Sequence, residues 1–517
     1  SWFYPQNSEL IHSFGILAYG NDLLSPLVNA GWFFACLLAA WCIGRPYGGA
    51  PISMAGVAIV LASTAMADQA GEARNDIVGT FFVLAGLAVL INAAAGGRRI
   101  TPGPALVIAV AAGLAAGTKI NFIPAAIAIA AGALVLCEPA IRRRAALGVA
   151  GGLVLGGGYW YVRNLLHSGN PLPWINHIGP FGLPGPDQDV GGRDAGSVWG
   201  YLTDPDVIGD WFLPGLGDGF GDGWILLLAL AFTAFVLCLG RDSGPARRTG
   251  AAVGVALILA WLVAPTSASG PAGEPNGFVS GLRYLAPALT VSMALLGSAV
   301  GQRGGATRWF MMGVILLLAP FTISLGSSWS FGQILGGVAV AAFAFGAMLA
   351  GRLFHRKGGV APRIALLAGT LVIAVLAGQV VQKSYFEDRY AEPAFTTPGL
   401  GSAFAWAQEI EGESIGTNAT RQYPFFGRFL ENDVQFIGLH EKHAGFVKPE
   451  TCRAFRAAVA DGGYRYLAVT LDRPSPKREF PREAGWIAGD PAAKEIFREE
   501  PAVIYELRGE PDPDLCN

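Results

Sequence analysis

Residues 74–99, RNDIVGTFFVLAGLAVLINAAAGGRR, decide the fold class of this chain. The apolar run 77–95 contains no Asp, Glu, Lys or Arg and lies between Asp76 and the pair Arg98 and Arg99. A bilayer core of about 30 Å requires about 20 apolar residues per helix. The stretch therefore predicts a membrane-spanning helix with a carboxylate at one end and two cations at the other.

The composition of the whole chain agrees with this prediction. Of the 517 residues, 52% are hydrophobic and 14% are charged, and the mean hydropathy is +0.43. Soluble globular proteins carry about 25% charged residues, so the composition is typical of membrane proteins. The net charge of −2 gives no support for nucleic-acid binding, which requires a basic surface.

Twelve apolar runs are candidate membrane helices. The fourth and fifth are short and are joined by residues 117–121, so they form either two spans or a re-entrant pair. The runs are 26–44, 52–67, 77–95, 104–117, 121–137, 145–163, 223–240, 249–265, 283–301, 308–325, 331–350 and 364–382.

The basic residues predict the orientation, because short loops rich in Arg and Lys stay in the cytoplasm. Such residues fall in alternate loops: Arg45; Arg98 and Arg99; Arg142, Arg143 and Arg144; Arg241, Arg247 and Arg248; Arg303 and Arg308; and Arg352, Arg356, Lys357 and Arg363. The other loops are then external: 1–25, 68–76, the tip near 118–121, 164–222, 267–282, 326–330 and the tail from 383. A chain that starts outside and crosses the membrane twelve times also ends outside, as this assignment of the loops requires.

Three regions follow. Residues 1–25 are the remainder of a first external loop, with an amphipathic interfacial helix at 8–17. Residues 26–382 form the transmembrane domain, whose long external loop 164–222 predicts short interfacial helices and a cover. Residues 383–517 form an external soluble domain. The chain starts at Ser1 without an initiator Met, so we expect a missing N-terminal helix and thirteen spans in the full length.

The C-terminal region has the pattern of a small α/β module. Helical patterns cover 400–411, 449–461 and 491–498, and strand patterns cover 434–439, 464–470 and 502–508. Cys452 and Cys516 lie in this region, and in an oxidising compartment they either pair or stay free.

Four ionisable residues lie at the ends of apolar runs, and the topology puts all of them on the external face: Asp76, Lys119, Arg163 and Arg283. Each has a structural explanation by itself, as a helix cap or an interfacial anchor. Together, three cations run against the bias that keeps positive charge inside. Phosphate at the membrane surface would explain them, because Lys and Arg neutralise its charge and donate hydrogen bonds to it.

These residues also carry a family resemblance. The motifs are YPQNSEL at 4–10, Asn75-Asp76, GLAAGTK at 113–119, WYVRN at 160–164 with GNP at 169–171, and RYLAPA at 283–288. In this order they resemble the GT-C superfamily of integral-membrane glycosyltransferases, in particular the bacterial protein O-mannosyltransferase and aminoarabinose transferase group. The resemblance covers about residues 1–382.

The resemblance implies inverting transfer of a sugar from a polyprenyl-phosphate donor on the external face of a bacterial inner membrane. The main catalytic Asp of the family belongs to the missing N-terminal part. Asp76 matches a second acidic position, which some relatives use for metal binding or for the acceptor, and Glu9 is a candidate to support the acceptor or a metal. Asp76 and Glu9 are therefore the catalytic candidates in this chain. Lys119, Arg163 and Arg283 match donor-phosphate positions. We take Arg74, Asn75, Asn164 and Tyr284 as supporting residues.

Several identities stay open. The implied cofactor is none, or a divalent cation such as Mg²⁺ or Mn²⁺. The acceptor is a glycan, a lipid or a protein, and the sugar is not indicated. A transporter or flippase of a lipid-linked anionic substrate is the alternative function, but the runs lack midplane charge and the halves show no repeat. A non-catalytic scaffold would leave the external cations unexplained.

Overall fold

The structure is a computed structural model that describes residues 3–22, 24–67, 69, 74–175, 177–178, 180–186, 196–240, 243–324, 369, 398–471 and 479–516. The predicted spans 331–350 and 364–382, the predicted loop 326–330 and the predicted boundary at 383 lie outside these residues. The chain forms two compact units. We call residues 1–15, 24–185 and 189–328 the membrane unit, and residues 16–23, 186–188 and 329–517 the C-terminal unit.

Sixteen helices lie in the first 324 residues, counting only those within the described ranges. They are α1 (Asn7–Tyr19), α2 (Leu24–Gly44), α3 (Ala50–Leu61), α4 (Thr64–Ala67), α5 (Asp76–Ala94), α6 (Pro102–Ala116), α7 (Ile123–Leu136), α8 (Arg142–Leu153), α9 (Tyr159–Ser168), α10 (Pro205–Val207), α11 (Leu213–Phe220), α12 (Trp224–Leu239), α13 (Pro245–Val263), α14 (Phe278–Gly281), α15 (Ala286–Val300) and α16 (Gly305–Thr322).

Among the described residues, five helical segments are long and apolar enough to cross a membrane, and two bent helix pairs raise the number to seven. The five are Val28–Tyr47, Asp76–Gly97, Pro139–Ser168, Pro245–Val263 and Gly305–Thr322. Each of the first ten predicted runs coincides with a helix, although run 52–67 is divided between α3 and α4. The fourth and fifth runs are the short helices α6 and α7, separated by a 3-10 turn at Ile120–Phe122.

Helix α15 is the centre of the membrane unit, because every one of its residues is buried. Helices α3, α12 and α13 pack on it. Its hydroxyl groups need no partner on another helix, since Thr290 donates to the carbonyl oxygen of Ala286 and Ser298 donates to that of Leu295. A helix that is apolar on all faces and self-satisfied in its hydrogen bonds suits a fully buried position.

Glycine permits a close approach between α6 and the long helical segment formed by α8, a π-helical turn at Val154–Gly158, and α9. A Cβ atom on Gly113 would lie 2.6 Å from the carbonyl oxygen of Leu153 and 2.9 Å from its Cα. Both are backbone atoms, which cannot move aside as a side-chain end can. Small residues spaced in this way bring membrane helices into backbone contact.

The long external loop predicted at 164–222 contains short helical elements, as expected. Helix α9 extends to Ser168, and a small hairpin pairs β1 (His177–Ile178) with β2 (Phe181–Gly182). A 3-10 turn at Val198–Tyr201 then leads to α10, a π-helical turn at Ile208–Phe212, and α11.

The C-terminal unit is built on a five-stranded mixed sheet of order β4-β3-β7-β9-β8. Its strands are β3 (Ser414–Thr417), β4 (Asp433–Phe436), β7 (Tyr466–Thr470), β8 (Ala493–Glu499) and β9 (Ala502–Leu507), and a separate hairpin pairs β5 (Leu439–His440) with β6 (Phe446–Val447). The helices are α17 (Pro398–Ala407), α18 (Cys452–Gly462) and α19 (Arg482–Ile487).

The helix predicted at 491–498 is wrong, because Ala493–Glu499 is strand β8. It pairs antiparallel with β9 at the edge of the sheet. Its charged residues, such as Lys494 and Arg498, are exposed, as is common on edge strands. These charges made the segment resemble a solvated helix. Strand β3 was absent from the prediction, since Ser414–Thr417 is only four residues long.

One disulfide and one buried ion pair fix the C-terminal segment. Cys452 and Cys516 form a disulfide across 64 residues, with a Cα–Cα distance of 5.9 Å. Arg456 is 2% exposed, forms an ion pair with Asp490, and donates to the carbonyl oxygen of Asp512 at 2.9 Å. The guanidinium therefore joins α18 to the terminal segment from inside the unit.

The first prediction concerns the contact between α6 and α8. Gly113→Ala is expected to lower stability by about 1–3 kcal/mol, because overpacking against backbone atoms forces the helices apart. Gly151→Ala is the matched control, since a Cβ there meets nothing within 4 Å. Thermal unfolding of the detergent-solubilised protein measures both. Equal melting temperatures for the two variants would contradict the close approach.

The second prediction concerns Arg456. Arg456→Ala is expected to destabilise the C-terminal unit by about 3–5 kcal/mol, because it leaves the buried Asp490 carboxylate unpaired. Arg453→Ala removes an ion pair to Asp514 in which both side chains are about three-quarters exposed, so the expected loss is below about 1 kcal/mol. Hydrogen exchange at the amides of β7 and β9 in the intact protein reports both values. Similar losses in the two variants would refute this role.

Candidate active site

Asp76 is the first residue of α5, and its carboxylate is turned towards other segments. The residue is only 2% exposed, and the helix has no side-chain cap at Asn75. Lys119 Nζ lies 2.6 Å from Asp76 Oδ1, and Arg283 Nε lies 3.9 Å from Oδ2. Gln69 Nε2 donates to Oδ2 at 3.4 Å. The carboxylate is therefore held by two cations, and a simple capping role does not describe it.

Tyr284 lies beside both cations of this cluster. Lys119 Nζ is 4.6 Å from the centre of its ring, and the Arg283 guanidinium carbon is 5.0 Å from the same point. Arg283 Nη2 also donates to the Tyr284 hydroxyl at 3.0 Å. The ring stabilises two cations that share one carboxylate. The cluster of Asp76, Lys119 and Arg283 carries one excess positive charge, which suits an anionic ligand.

Lys119 reaches Asp76 because the chain bends between α6 and α7. Its backbone is extended, with φ −160° and ψ 141°, at the start of the 3-10 turn Ile120–Phe122. The ammonium group also donates to Asn75 Oδ1 at 3.1 Å. The break between two short apolar helices thus delivers a cation to the end of a third helix.

Glu9 is the second carboxylate of the site, and Asn75 connects it to the cluster. Asn75 Nδ2 donates to Glu9 Oε1 at 2.9 Å while Asn75 Oδ1 accepts from Lys119. Glu9 is exposed at the open side of α1, yet desolvation by the protein around it raises the pKa of the carboxyl above its ordinary value of 4.5. The hydrogen bond from Asn75 and the charge of Lys119 oppose this rise.

Asn7 fixes the start of α1 next to Lys119. Its backbone N–H donates to the carbonyl oxygen of Gly117 at 3.0 Å, and its Nδ2 donates to that of Gly156 at 2.8 Å. Trp160 Nε1 donates to Asn7 Oδ1 at 2.8 Å. One amide therefore holds together α1, the end of α6, and the segment that carries α9.

The structure places Arg163 and Asn164 on α9. Arg163 Nη2 donates to Asn164 Oδ1 at 3.0 Å, and its guanidinium carbon lies 4.9 Å from the ring of Trp160. Asn164 is fully buried and donates to the carbonyl oxygen of Phe3 at 2.8 Å. Trp160 on the same helix donates to Asn7 Oδ1, and the backbone N–H of Asn7 donates to the carbonyl oxygen of Gly117, two residues before Lys119.

The residues that hold the loop before α5 were missed in the sequence. Asn29 is buried within α2, and its Nδ2 donates to the carbonyl oxygens of Gln69 and Arg74, both at 2.8 Å. Arg74 thus contributes its backbone to the site. An uncharged polar residue inside the apolar run 26–44 was the available signal.

No group of three or more His, Cys, Asp and Glu side chains that could bind a metal exists within the described ranges. Asp76 is already neutralised by Lys119 and Arg283 at the distances given above. Glu9, the other carboxylate of this site, forms no ion pair with a Lys or Arg side chain within the described residues.

The third prediction concerns the Asp76–Lys119 pair. Asp76→Asn and Lys119→Met are each expected to lower stability by about 1–3 kcal/mol, because each leaves a largely buried charge with a weaker partner. The double variant is expected to lose less than the sum of the two losses, since it removes both charges. Thermal unfolding of the four proteins in detergent measures the coupling. Additive losses would show that the two groups do not interact.

No family model matches the chain, and no curated protein matches its sequence. Two solved structures of ArnT from Cupriavidus metallidurans are similar to it. The apo form is 17% identical with a TM-score of 0.49, covering 98% of this chain and 87% of that chain. The form bound to undecaprenyl phosphate is 16% identical with a TM-score of 0.50, covering 98% and 88%.

At this identity the second match shows the fold and nothing finer. It covers the transmembrane helices and the C-terminal sheet together, so the predicted fold class is confirmed. The chain is a polytopic α-helical membrane protein with a small C-terminal α/β domain and has the fold of the aminoarabinose transferase ArnT, a GT-C glycosyltransferase.

Proposed function

We propose that this chain is a GT-C-type glycosyltransferase that moves a sugar from a polyprenyl-phosphate donor to an acceptor at the non-cytoplasmic face of a bacterial inner membrane. The observation that carries the proposal is the buried Asp76 carboxylate with Lys119 and Arg283 around Tyr284. The ArnT fold supports it, since one structure of that protein is bound to undecaprenyl phosphate.

Lys119 and Arg283 are the proposed donor-phosphate ligands. Asp76, Lys119 and Arg283 together carry one positive charge at the end of an apolar helix, where a lipid phosphate would lie. The Glu9 carboxylate is connected to Lys119 through Asn75. Arg283 Nε is buried and makes no hydrogen bond within the described part of the chain. This N–H is therefore available to a phosphate oxygen, and such charge-assisted hydrogen bonds are among the stronger ones in proteins. Arg163 is proposed as a further phosphate contact from the neighbouring α9.

The proposed reaction is a direct displacement at the anomeric carbon of the sugar. The acceptor oxygen forms a bond to this carbon as the bond between the carbon and the phosphate oxygen breaks. The acceptor proton moves to the Glu9 carboxylate, and polyprenyl phosphate leaves with the electron pair. Lys119 and Arg283 stabilise the negative charge that develops on the leaving group, which is how preorganised cations lower a barrier.

The two carboxylates have different proposed roles. Asp76 is neutralised by two cations, so it positions Lys119 and Arg283 rather than removing the acceptor proton. Glu9 has a raised pKa and lies at the open side of the cluster, which suits contact with the acceptor. If a divalent cation takes part, Glu9 is its proposed ligand in this chain.

The fourth prediction tests the donor site. Membranes that contain the protein are given radiolabelled polyprenyl-phosphate sugars. Arg283→Ala and Arg163→Ala are expected to reduce label transfer at least about 100-fold, because each removes a donor to the leaving phosphate. Arg453→Ala, on the exposed surface of the C-terminal domain, is the control and is expected to retain wild-type transfer.

Protein level and thermal unfolding show whether each variant folds. Wild-type turnover in both Arg283→Ala and Arg163→Ala would end the donor-site assignment. Absence of transfer from every donor, together with saturable translocation of a lipid-linked substrate, would favour the transporter.

A further inference from the structure

A set of buried polar groups next to Asp76 has no hydrogen-bond partner within the described ranges. Ser8 is 1% exposed, His12 is 6% exposed and Gln69 is 1% exposed. The unsatisfied atoms are Ser8 Oγ, both ring nitrogens of His12 and Gln69 Oε1. Three such side chains in one region of a membrane protein are a costly arrangement unless something fills their hydrogen bonds.

These groups belong to one cluster. Ser8 and His12 are four residues apart in α1, so they lie on the same face of that helix. The imidazole of His12 lies near Asn29, whose amide donates to the backbone of Gln69. Gln69 in turn donates to Asp76 through its other side-chain atom. The cluster thus extends from α1 to the carboxylate that holds Lys119 and Arg283.

The chemistry of the cluster selects among ligands. A hydroxyl, a neutral imidazole and an amide oxygen carry no charge. Burial lowers the pKa of His12 below its ordinary value of 6.5, against an opposing contribution from Asn29, and so favours the neutral ring. These groups can both donate and accept hydrogen bonds, as sugar hydroxyls do. A charged ligand group would find no counter-charge among these three side chains, and the neighbouring Asp76 carboxylate is already paired with Lys119 and Arg283.

We propose that Ser8, His12 and Gln69 form a subsite for uncharged sugar hydroxyls, placed beside the phosphate-binding cluster. This inference rests on the proposed function and names the part of the donor that the cluster recognises. The phosphate contacts Lys119 and Arg283, and the sugar ring extends towards α1, where its hydroxyls complete the hydrogen bonds of the three side chains. The preferred donor carries a neutral hexose or pentose, in contrast to an amino sugar.

The test is a binding measurement on the chain in lipid nanodiscs, with three probes: undecaprenyl phosphate, undecaprenyl-phosphate hexose and an undecaprenyl-phosphate 4-amino-4-deoxypentose. The wild type is expected to bind the hexose lipid more tightly than the other two. Ser8→Ala and His12→Phe are each expected to reduce this preference by about two- to tenfold, the effect of one neutral hydrogen bond. Their affinity for undecaprenyl phosphate itself is expected to stay unchanged.

Ser13→Ala is the matched control, because Ser13 is on the same helix but exposed and hydrogen-bonded to the carbonyl oxygen of Glu9. It is expected to keep the full preference. His12→Gln restores a neutral hydrogen-bonding group and is expected to recover part of what His12→Phe loses. Ser8→Ala, a deletion of one oxygen atom, keeps the test valid if His12→Phe does not fold.

The outcomes separate this inference from the function on which it rests. If the wild type binds none of the three lipids, the proposed donor class is wrong and the subsite is rejected with it. If undecaprenyl phosphate binds but Ser8→Ala and His12→Phe weaken all probes equally, the residues are structural and the subsite is overturned. A wild-type preference for the amino sugar that both variants retain also overturns it.

Discussion

The buried carboxylate of Asp76 is the constraint on which the rest of the site depends. A charge that is 2% exposed at the end of an apolar helix is stable only with nearby opposite charge. The chain supplies two cations, and they come from the break between α6 and α7 and from the turn before α15. Apolar packing and close glycine contacts bring these helices together. The ion pairs of Asp76 then fix how the helix ends are aligned. They add a specific contact between helices whose apolar faces pack without much specificity.

The cluster of Asp76, Lys119 and Arg283 differs in its charge from a purely structural ion pair. Asp76 by itself cannot neutralise both Lys119 and Arg283, and the second carboxylate, Glu9, is connected to Lys119 through Asn75. The ring of Tyr284 lies against both cations. The excess positive charge is retained in a partly buried place, where its attraction for an anion is much stronger than in water. In the proposed reaction, charge develops on a leaving phosphate. Cations already positioned by Asp76 need no rearrangement as this charge forms, and this preorganisation is the main way in which such sites lower barriers.

The sequence predicted the parts of this arrangement that depend on hydropathy and net charge. Apolar run ends located Asp76, Lys119 and Arg283, because ionisable residues at membrane depth are rare and therefore visible. Asn29 and Gln69 were missed, since a neutral polar residue changes neither the hydropathy of a run nor its charge. The grouping of Arg163 with the other cations came from topology, which gives the membrane face but no lateral position. Strand β8 was predicted as a helix because its charges reflect an edge position, and strand neighbours are set by long-range pairing.

Charged and neutral polar side chains occupy separate parts of the proposed site. A phosphate needs cations, and the cations in turn need Asp76, so every ionised group of the cluster is bound to another ionised group. A sugar hydroxyl would compete poorly for partners that are already committed in this way. Ser8, His12 and Gln69 are buried and uncharged, and so they can hold hydroxyls without disturbing the balance of charge around Asp76. Affinity for the lipid phosphate and choice of the sugar then reside in adjacent but different side chains. Substitutions on the inner face of α1 could change the sugar while the phosphate contacts stay intact.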